Sequence, residues 1–318
     1  MAKSLYTFSF AEAAKALKHG GLVAFPTETV YGLGADAFNK KAVERIFEAK
    51  GRPADNPLIV HVAEKSRISD VVSEMNLTAK KLVNTFFPGP LTLVLPASDK
   101  IPAVVTAGLN TVGVRMPAND LTLKFLKECG VPVAAPSANI SGKPSPTTWK
   151  AVAEDLEDRL DSNIDCVLKG EAAQYGLEST VVDCTSEIAV VLRAGAVSLE
   201  ELRAVVPNIK CNISDPPADA PKSPGIKHRH YSPKARVVLV NKGDSFEDPF
   251  NSALIGMEMP SEDLAFIKVC SSADDYARAL FDFFRECDNR GIKTIYCQAI
   301  KTDGIGAAIM DRIGRAAE

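Results

Sequence analysis

Two periods of apolar residues run through this chain, and the places where one gives way to the other mark its elements. Over residues 42–49 the apolar side chains recur at helical spacing, until Gly51 and Pro53 end the run. Over 58–62 they are almost continuous, which predicts a short buried strand. Lys50, Arg52 and Asn56 fall between these two elements, and His61 lies at the far end. The same reading predicts helices over 11–19, 77–87, 121–129, 273–287 and 305–316. A further helix starts at an N-cap on Ser198, with Glu201 at the reciprocal capping position, and ends near Pro207. Strands are predicted over 22–25, 91–95, 111–116, 131–134, 166–168, 179–184 and 189–193. Four more follow at 237–240, 253–255, 266–269 and 293–297. The polar, turn-rich segments at 27–36 and 136–146 read as loops.

Periodicity lapses over 210–234, where Pro216, Pro217, Pro221, Pro224 and Pro233 restrict the backbone. That segment reads as a semi-extended linker. It divides the chain into a first domain at 1–208, a linker at 209–234 and a second domain at 235–318. In the second domain strands alternate with helices, the pattern of a small α/β unit on a largely parallel sheet.

Of the 318 residues, 46% are hydrophobic and 24% charged, an ordinary balance with room for two cores. A net charge of −3 provides no global basic field for nucleic acid or an anionic membrane, so any RNA contact must come from a local patch. Seven widely spaced cysteines without a CxxC pair read as reduced thiols, not as a disulfide framework or a zinc site. With no apolar signal core and no run of membrane-spanning length, a cytoplasmic location without membrane contact is expected.

Gly32-Leu33-Gly34-Ala35-Asp36-Ala37 matches the G-x-G-x-x-A dinucleotide pattern, but its setting does not. Residues 27–31 separate it from the strand end at Pro26, and 38–40 separate it from the next helix, whereas a dinucleotide loop joins both directly. Gly142-Lys143 is followed by Pro144 instead of the hydroxyl residue of a Walker sequence. No G-x-S-x-G elbow occurs, and of four histidines His19 ends a helix while His228 and His230 lie in the linker, which leaves only His61. His228-x-His230 supplies two ligands, too few for a closed metal site.

What remains is a set of basic and hydroxyl residues, each where a strand meets a loop: Thr29, Lys50, Arg52, His61, Arg115, Ser137 with Asn139, Ser179 and Arg193. Singly, each has a plain structural reading. Lys50 and Arg52 suit the C-terminal end of a helix, Arg115 and Arg193 a strand surface, Ser137 a turn. Together, several cations with no matching run of acids suit a polyanionic ligand such as a nucleoside triphosphate.

Longer motifs carry a resemblance. Residues 21–33, Lys50-Gly51-Arg52-Pro53 through His61, Phe87-Pro88-Gly89-Pro90-Leu91-Thr92, Val114-Arg115-Met116-Pro117 and 135–142 resemble a YrdC-type domain. Residues 223–234 resemble the segment peculiar to two-domain members, and the whole chain is similar to the L-threonylcarbamoyl-AMP synthase family. The implied fold is α/β: a twisted mixed-sheet catalytic domain and a small Rossmann-like domain joined by the proline-rich linker. The implied reaction joins L-threonine, bicarbonate or CO2, and ATP into threonylcarbamoyl-adenylate and pyrophosphate. Partner proteins then transfer the threonylcarbamoyl group to the adenosine beside the anticodon of tRNAs reading codons that begin with A. Direct tRNA binding is compatible with this but not required.

The family's paired signature is present as Lys50-Gly51-Arg52 and Ser137-Ala138-Asn139, which the resemblance makes catalytic. By the same matching, Thr29, His61, Arg115, the backbone of Ala135, and Ser179 would hold L-threonine. Arg52, Asn56, Thr111, Ser137, Ser145, Arg193 and Tyr231 would hold ATP, with Tyr231 and its linker folding over the site. Magnesium would arrive with ATP, and no protein metal site is expected. Two alternatives stand beside this. A carbamoyl-handling enzyme of the hydrogenase-maturation kind shares the fold but adds acylphosphatase and zinc-finger segments, for which this chain has neither length nor cysteine spacing. A non-catalytic RNA-binding module draws on the basic stretch Lys227-His228-Arg229-His230 with Lys234 and Arg236, against an acidic total.

Overall fold

The computed structural model describes residues 5–212 and 231–317. The first part opens with β1 (Tyr6–Thr7), α1 (Phe10–Lys18), β2 (Val23–Phe25), β3 (Gly32–Asp36), α2 (Lys40–Lys50) and β4 (Ile59–His61). It continues through α3 (Leu77–Phe86), β5 (Leu91–Pro96), α4 (Ala103–Thr106), β6 (Thr111–Arg115), α5 (Asp120–Cys129) and β7 (Val133–Ala135). It closes with α6 (Trp149–Leu156), β8 (Cys166–Leu168), β9 (Thr180–Asp183), β10 (Val190–Arg193), α7 (Leu199–Val205) and β11 (Lys210–Cys211). The second part holds β12 (Arg236–Val240), β13 (Ser252–Gly256), β14 (Phe266–Val269), α8 (Ala273–Arg290), β15 (Thr294–Gln298) and α9 (Gly306–Ala317).

The helices begin and end where local chemistry demands. Asn39 caps α2 by accepting from the Ala42 amide, and Ser198 with Glu201 forms a reciprocal capping box on α7. The α2 helix ends at Gly51, whose φ of 59° only glycine adopts without cost. Its buried face carries Ala42, Val43, Ile46 and Phe47, and the same face brings Lys50 inward.

The strands of the first part form one mixed sheet in the order β1-β8-β2-β3-β7-β4-β6-β5-β9-β10-β11. Its centre carries the strands that end in site residues. Parallel pairing of β4 with β6 places His61 opposite Arg115, and antiparallel pairing of β4 with β7 places Ile59 opposite Ala135. The second part is a wholly parallel sheet, β12-β15-β13-β14, as the alternation of strands and helices predicts.

Three features depart from the periodicity reading. The segment 27–36 is a loop only in its first half, because Gly32–Asp36 is the strand β3. A side chain on Gly34 would place its Cβ 2.6 Å from Val133 Cγ1 and 2.7 Å from Phe25 Cε1, so the glycine exists for close strand packing and not for a phosphate loop. Trp149–Leu156 is a helix that the proline-rich stretch before it conceals, and Lys210–Cys211 pairs with β10, so the sheet runs into the stretch read as linker.

The two parts share a core. Val30, Leu177 and Ala194 of the first pack in one cluster with Tyr231, Phe281, Phe284, Ile309 and Ile313. Arg285 of α8 donates to the Pro144 carbonyl and, at 2.8 Å, to Asp155 Oδ2, while Thr147 donates to Asp282. Helices of the second part thus hold the loop that follows β7. None of the seven cysteines forms a disulfide, and six are buried.

Candidate active site

The loop after β2 is built by its hydroxyls. Thr27 Oγ1 donates to the Val30 carbonyl at 2.6 Å and accepts from the Thr29 and Val30 amides at 3.2 Å, a side-chain-made turn. That turn presents Thr29, whose Oγ1 accepts from Arg115 Nη1 at 2.9 Å. Arg115 Nε also donates to the Gly89 carbonyl at 3.3 Å. Its Nη2 lies 2.7 Å from Glu28 Oε1, a close ion contact whose angle is not that of a hydrogen bond.

The paired signature proves to be one structural unit. Lys50 is buried, and its Nζ donates to the Ser137 carbonyl at 2.6 Å and to the Asn139 carbonyl. The Ser141 amide returns a bond to the Lys50 carbonyl at 2.9 Å. Ser137 Oγ donates to Asn139 Oδ1 at 2.5 Å, and the Asn139 amide donates to the carbonyls of Ile140 and Lys143, each at 2.8 Å. Burial, reinforced by the neighbouring Arg52 charge, holds the Lys50 amine well below the ordinary lysine range.

Around these groups lies a cleft open to solvent. Thr29, Lys50, Arg52, His61, Arg115, Ala135, Ser137 and Asn139 line it, as do Ser145, Ser179, Arg193 and Tyr231. Of the residues predicted for the site, Asn56 and Thr111 do not. Asn56 is buried behind Arg52, which donates to its carbonyl at 3.3 Å, and its side-chain amide has no partner among the described residues. Thr111 starts β6, at the opposite end from Arg115, where it pairs with Pro96. Arg193 donates to the Ser179 carbonyl at 2.9 Å and to Ser179 Oγ at 3.2 Å, and Ser179 Oγ meets Thr92 Oγ1 at 2.8 Å. Tyr231 is buried, with its ring stacked on Phe281 at 5.4 Å. The linker residues His228 and His230, and the basic stretch around them, lie outside the described residues.

Several lining residues were not assigned to the site from sequence: Thr27 and Ser141, which lie inside the family motifs, Lys143 and Glu178. Glu178 shows in the sequence only as a carboxylate just ahead of a strand, between Leu177 and Ser179. It accepts from Ser145 Oγ on one oxygen and from Arg312 Nε, at 2.8 Å, on the other. Burial alone would raise its pKa, but Arg312 and Arg193 hold it below the usual carboxylate range.

His61 sits edge-on to Phe25, ring centres 5.7 Å apart, beside Arg115. Burial, and then the Arg115 charge, push its pKa down to about 3, so the imidazole is neutral at physiological pH. A histidine in the unfolded chain takes up its proton at about pH 6.5. Between those two values the unfolded state binds the extra proton, so this group lowers stability as pH falls, by up to about 1.4 kcal/mol per pH unit. Urea unfolding should therefore show wild-type stability falling from pH 7 to pH 5 by about 2 kcal/mol more than that of His61→Gln. Identical pH dependence in the two proteins would show that His61 is not held neutral.

The fold and the cleft define a class: a two-domain α/β enzyme whose cationic site lies along the central strands and is walled in part by Tyr231, which packs against the second domain. The Sua5/YciO/YrdC family model, described as telomere recombination, matches residues 15–195, and the threonylcarbamoyl-AMP synthase C-terminal domain model matches 197–318. The threonylcarbamoyl-AMP synthases of Pyrococcus abyssi and Bacillus subtilis are 42% and 40% identical to the chain, each over 96% of it and 92% of their own length. The crystal structure of P. abyssi Sua5 complexed with L-threonine superposes with a TM-score of 0.91 at 40% identity, covering 100% of this chain and 97% of that one. The chain belongs to the threonylcarbamoyl-AMP synthase family, in its two-domain form. The hydrogenase-maturation alternative is set aside because the second half matches the synthase C-terminal domain. Among the described residues no helix is long and apolar enough to cross a membrane.

Proposed function

We propose that the cleft makes L-threonylcarbamoyl-adenylate and pyrophosphate from L-threonine, bicarbonate or CO2, and ATP, a nucleotidyl transfer that opens threonylcarbamoyladenosine synthesis on tRNA. One observation carries this reading. The cleft gathers Lys50, Arg52, Arg115, Lys143 and Arg193, and among the described lining residues the one carboxylate, Glu178, is already engaged. Such a balance suits substrates that are all anionic, and the lining needs no enzyme nucleophile.

The chemistry runs in two steps. The neutral threonine amine attacks the carbon of bicarbonate, expelling water, or of CO2, releasing the amine proton to solvent, and a carbamate forms. A carbamate oxygen then attacks the α-phosphorus of ATP, and the bond to pyrophosphate breaks. Arg115 and Thr29 meet the threonine carboxylate, with neutral His61 and Ser179 completing that subsite. Arg52, Arg193 and Ser145 meet the nucleotide, and Tyr231 walls the site off from water. Lys50 acts chiefly by holding the Ser137 to Asn139 turn in place, and its charge supports the leaving phosphates. Magnesium arrives as part of the nucleotide, where it offsets phosphate charge. The product passes to proteins that transfer the threonylcarbamoyl group to tRNA in the cytoplasm, with direct tRNA contact optional.

Pyrophosphate release from ATP, with threonine and bicarbonate omitted in turn, tests the reading. Release should require both, and release without threonine would remove the proposal. A pocket that pairs the threonine hydroxyl rejects analogues lacking it by far more than one that only excludes bulk. Alanine should therefore turn over at least about a hundredfold more slowly than threonine, and equal turnover would contradict the assigned subsite.

A further inference from the structure

We propose that Arg312, on α9 of the second domain, is a positioning residue for the nucleotide half of the cleft, through which the second domain takes part in the reaction. This rests on the reading of the cleft as the site of adenylate formation. Arg312 is completely buried, and its guanidinium reaches two residues of the cleft wall and the backbone next to a third, Arg193. Nε donates to Glu178 Oε2 at 2.8 Å, Nη2 donates to the Ala194 carbonyl at 2.9 Å, and the guanidinium carbon lies 5.1 Å from the centre of the Tyr231 ring. Asp311 pairs with Nη1 and anchors the group from its own helix.

Each partner bears on nucleotide binding. Glu178 lines the cleft and holds the Ser145 hydroxyl on its other oxygen, Ala194 follows Arg193 directly, and Tyr231 forms part of the wall. Glu178 poses a problem for a polyanion site, because a free carboxylate there repels phosphate. Arg312 answers it from the second domain by offsetting most of the Glu178 charge and fixing its plane. Without Arg312 that charge falls to Arg193 alone, which lines the same cleft and is drawn away from the ligand. Thr29, His61 and Arg115 share no bonding partner with Arg312, and Ser179 keeps its separate bond to Thr92 when Arg193 is disturbed, so the threonine subsite is largely spared.

The sign of the coupling separates this role from simple docking of the domains. Calorimetry would measure binding of a non-hydrolysable ATP analogue and of L-threonine to the full chain, with folding checked by circular dichroism. Arg312→Met should weaken the analogue at least about tenfold and leave L-threonine within about twofold. Adding Glu178→Gln should recover most of that loss, because the stranded charge is gone. Should Arg312→Met fail to fold, Arg312→Lys, which keeps the charge but not the planar fork, should still weaken the analogue selectively. Wild-type analogue affinity in a folded variant, equal loss of both ligands, or a deeper loss in the double variant would each overturn the role of Arg312. A wild-type protein that did not bind the analogue would instead overturn the reading of the cleft itself.

Discussion

Arg52→Ala should lower threonine-dependent pyrophosphate release by at least about a hundredfold while leaving the fold intact. The half-buried Arg52 side chain lies on the cleft wall, where Nη2 donates to the carbonyls of Asn56 and Pro57 at 3.3 and 3.2 Å and Nε has no partner among the described residues. Little packing is lost with it, so stability should fall by only about 1 kcal/mol. Lys50 is the instructive contrast. It is buried and holds two carbonyls of the Ser137 to Asn139 turn, so Lys50→Ala removes an electrostatic group and strands two acceptors. Its rate loss should be similar, but accompanied by about 2–5 kcal/mol of destabilisation. Initial rates and denaturant unfolding on both variants check the pair. Near-normal turnover by Arg52→Ala would remove its assigned role, and equal stabilities would contradict the buried staple.

Arg115→Met should be the most destabilising change in the cleft, at about 3–5 kcal/mol, because it leaves Glu28 charged and alone in the core. Arg115 and Glu28 are 4% and 3% exposed and lie 2.7 Å apart, so the remaining carboxylate would have no solvent to turn to. Arg115→Met with Glu28→Gln removes both charges and should recover much of that stability. Threonine affinity should not recover with it. The substrate carboxylate loses a charge-assisted donor in both variants, worth about 1.5–3 kcal/mol, or roughly ten- to a hundredfold in Kd. Urea titration and calorimetry on the double variant separate the two effects. A stable double variant that bound threonine normally would remove Arg115 from the substrate site.

How far the site could be read before folding depends on the range of the interaction. Lys50-Gly51-Arg52 and Ser137-Ala138-Asn139 stand out as short motifs, yet nothing in either says that Lys50 Nζ bonds to the Ser137 and Asn139 carbonyls. His61 was legible as a strand residue near a loop. Its neutrality was not, because it comes from burial and from an arginine on the neighbouring strand. The β3 strand was misread because glycine at positions 32 and 34 mimics a loop, while the real reason for it is the crowding of Phe25 and Val133. The pairing of Glu178 with Arg312 was silent, since a carboxylate and a guanidinium 134 residues apart show no pattern until the domains dock.

Acting within a few residues, the chain's own chemistry determined where most helices start and stop and which stretches are strands, β3, β11 and the helix at 149–156 apart, and pointed to two α/β units. It also determined that a surplus of cations lies at strand ends, because side-chain type and spacing need no partner to be read. Tertiary structure alone decided the strand order, the rung shared by His61 and Arg115, the staple from Lys50, and the reach of Arg312 into the cleft. Those features depend on which distant groups are brought together away from water. Burial sets the strength of a charge and the cost of leaving it unpaired, and burial is a property of the fold.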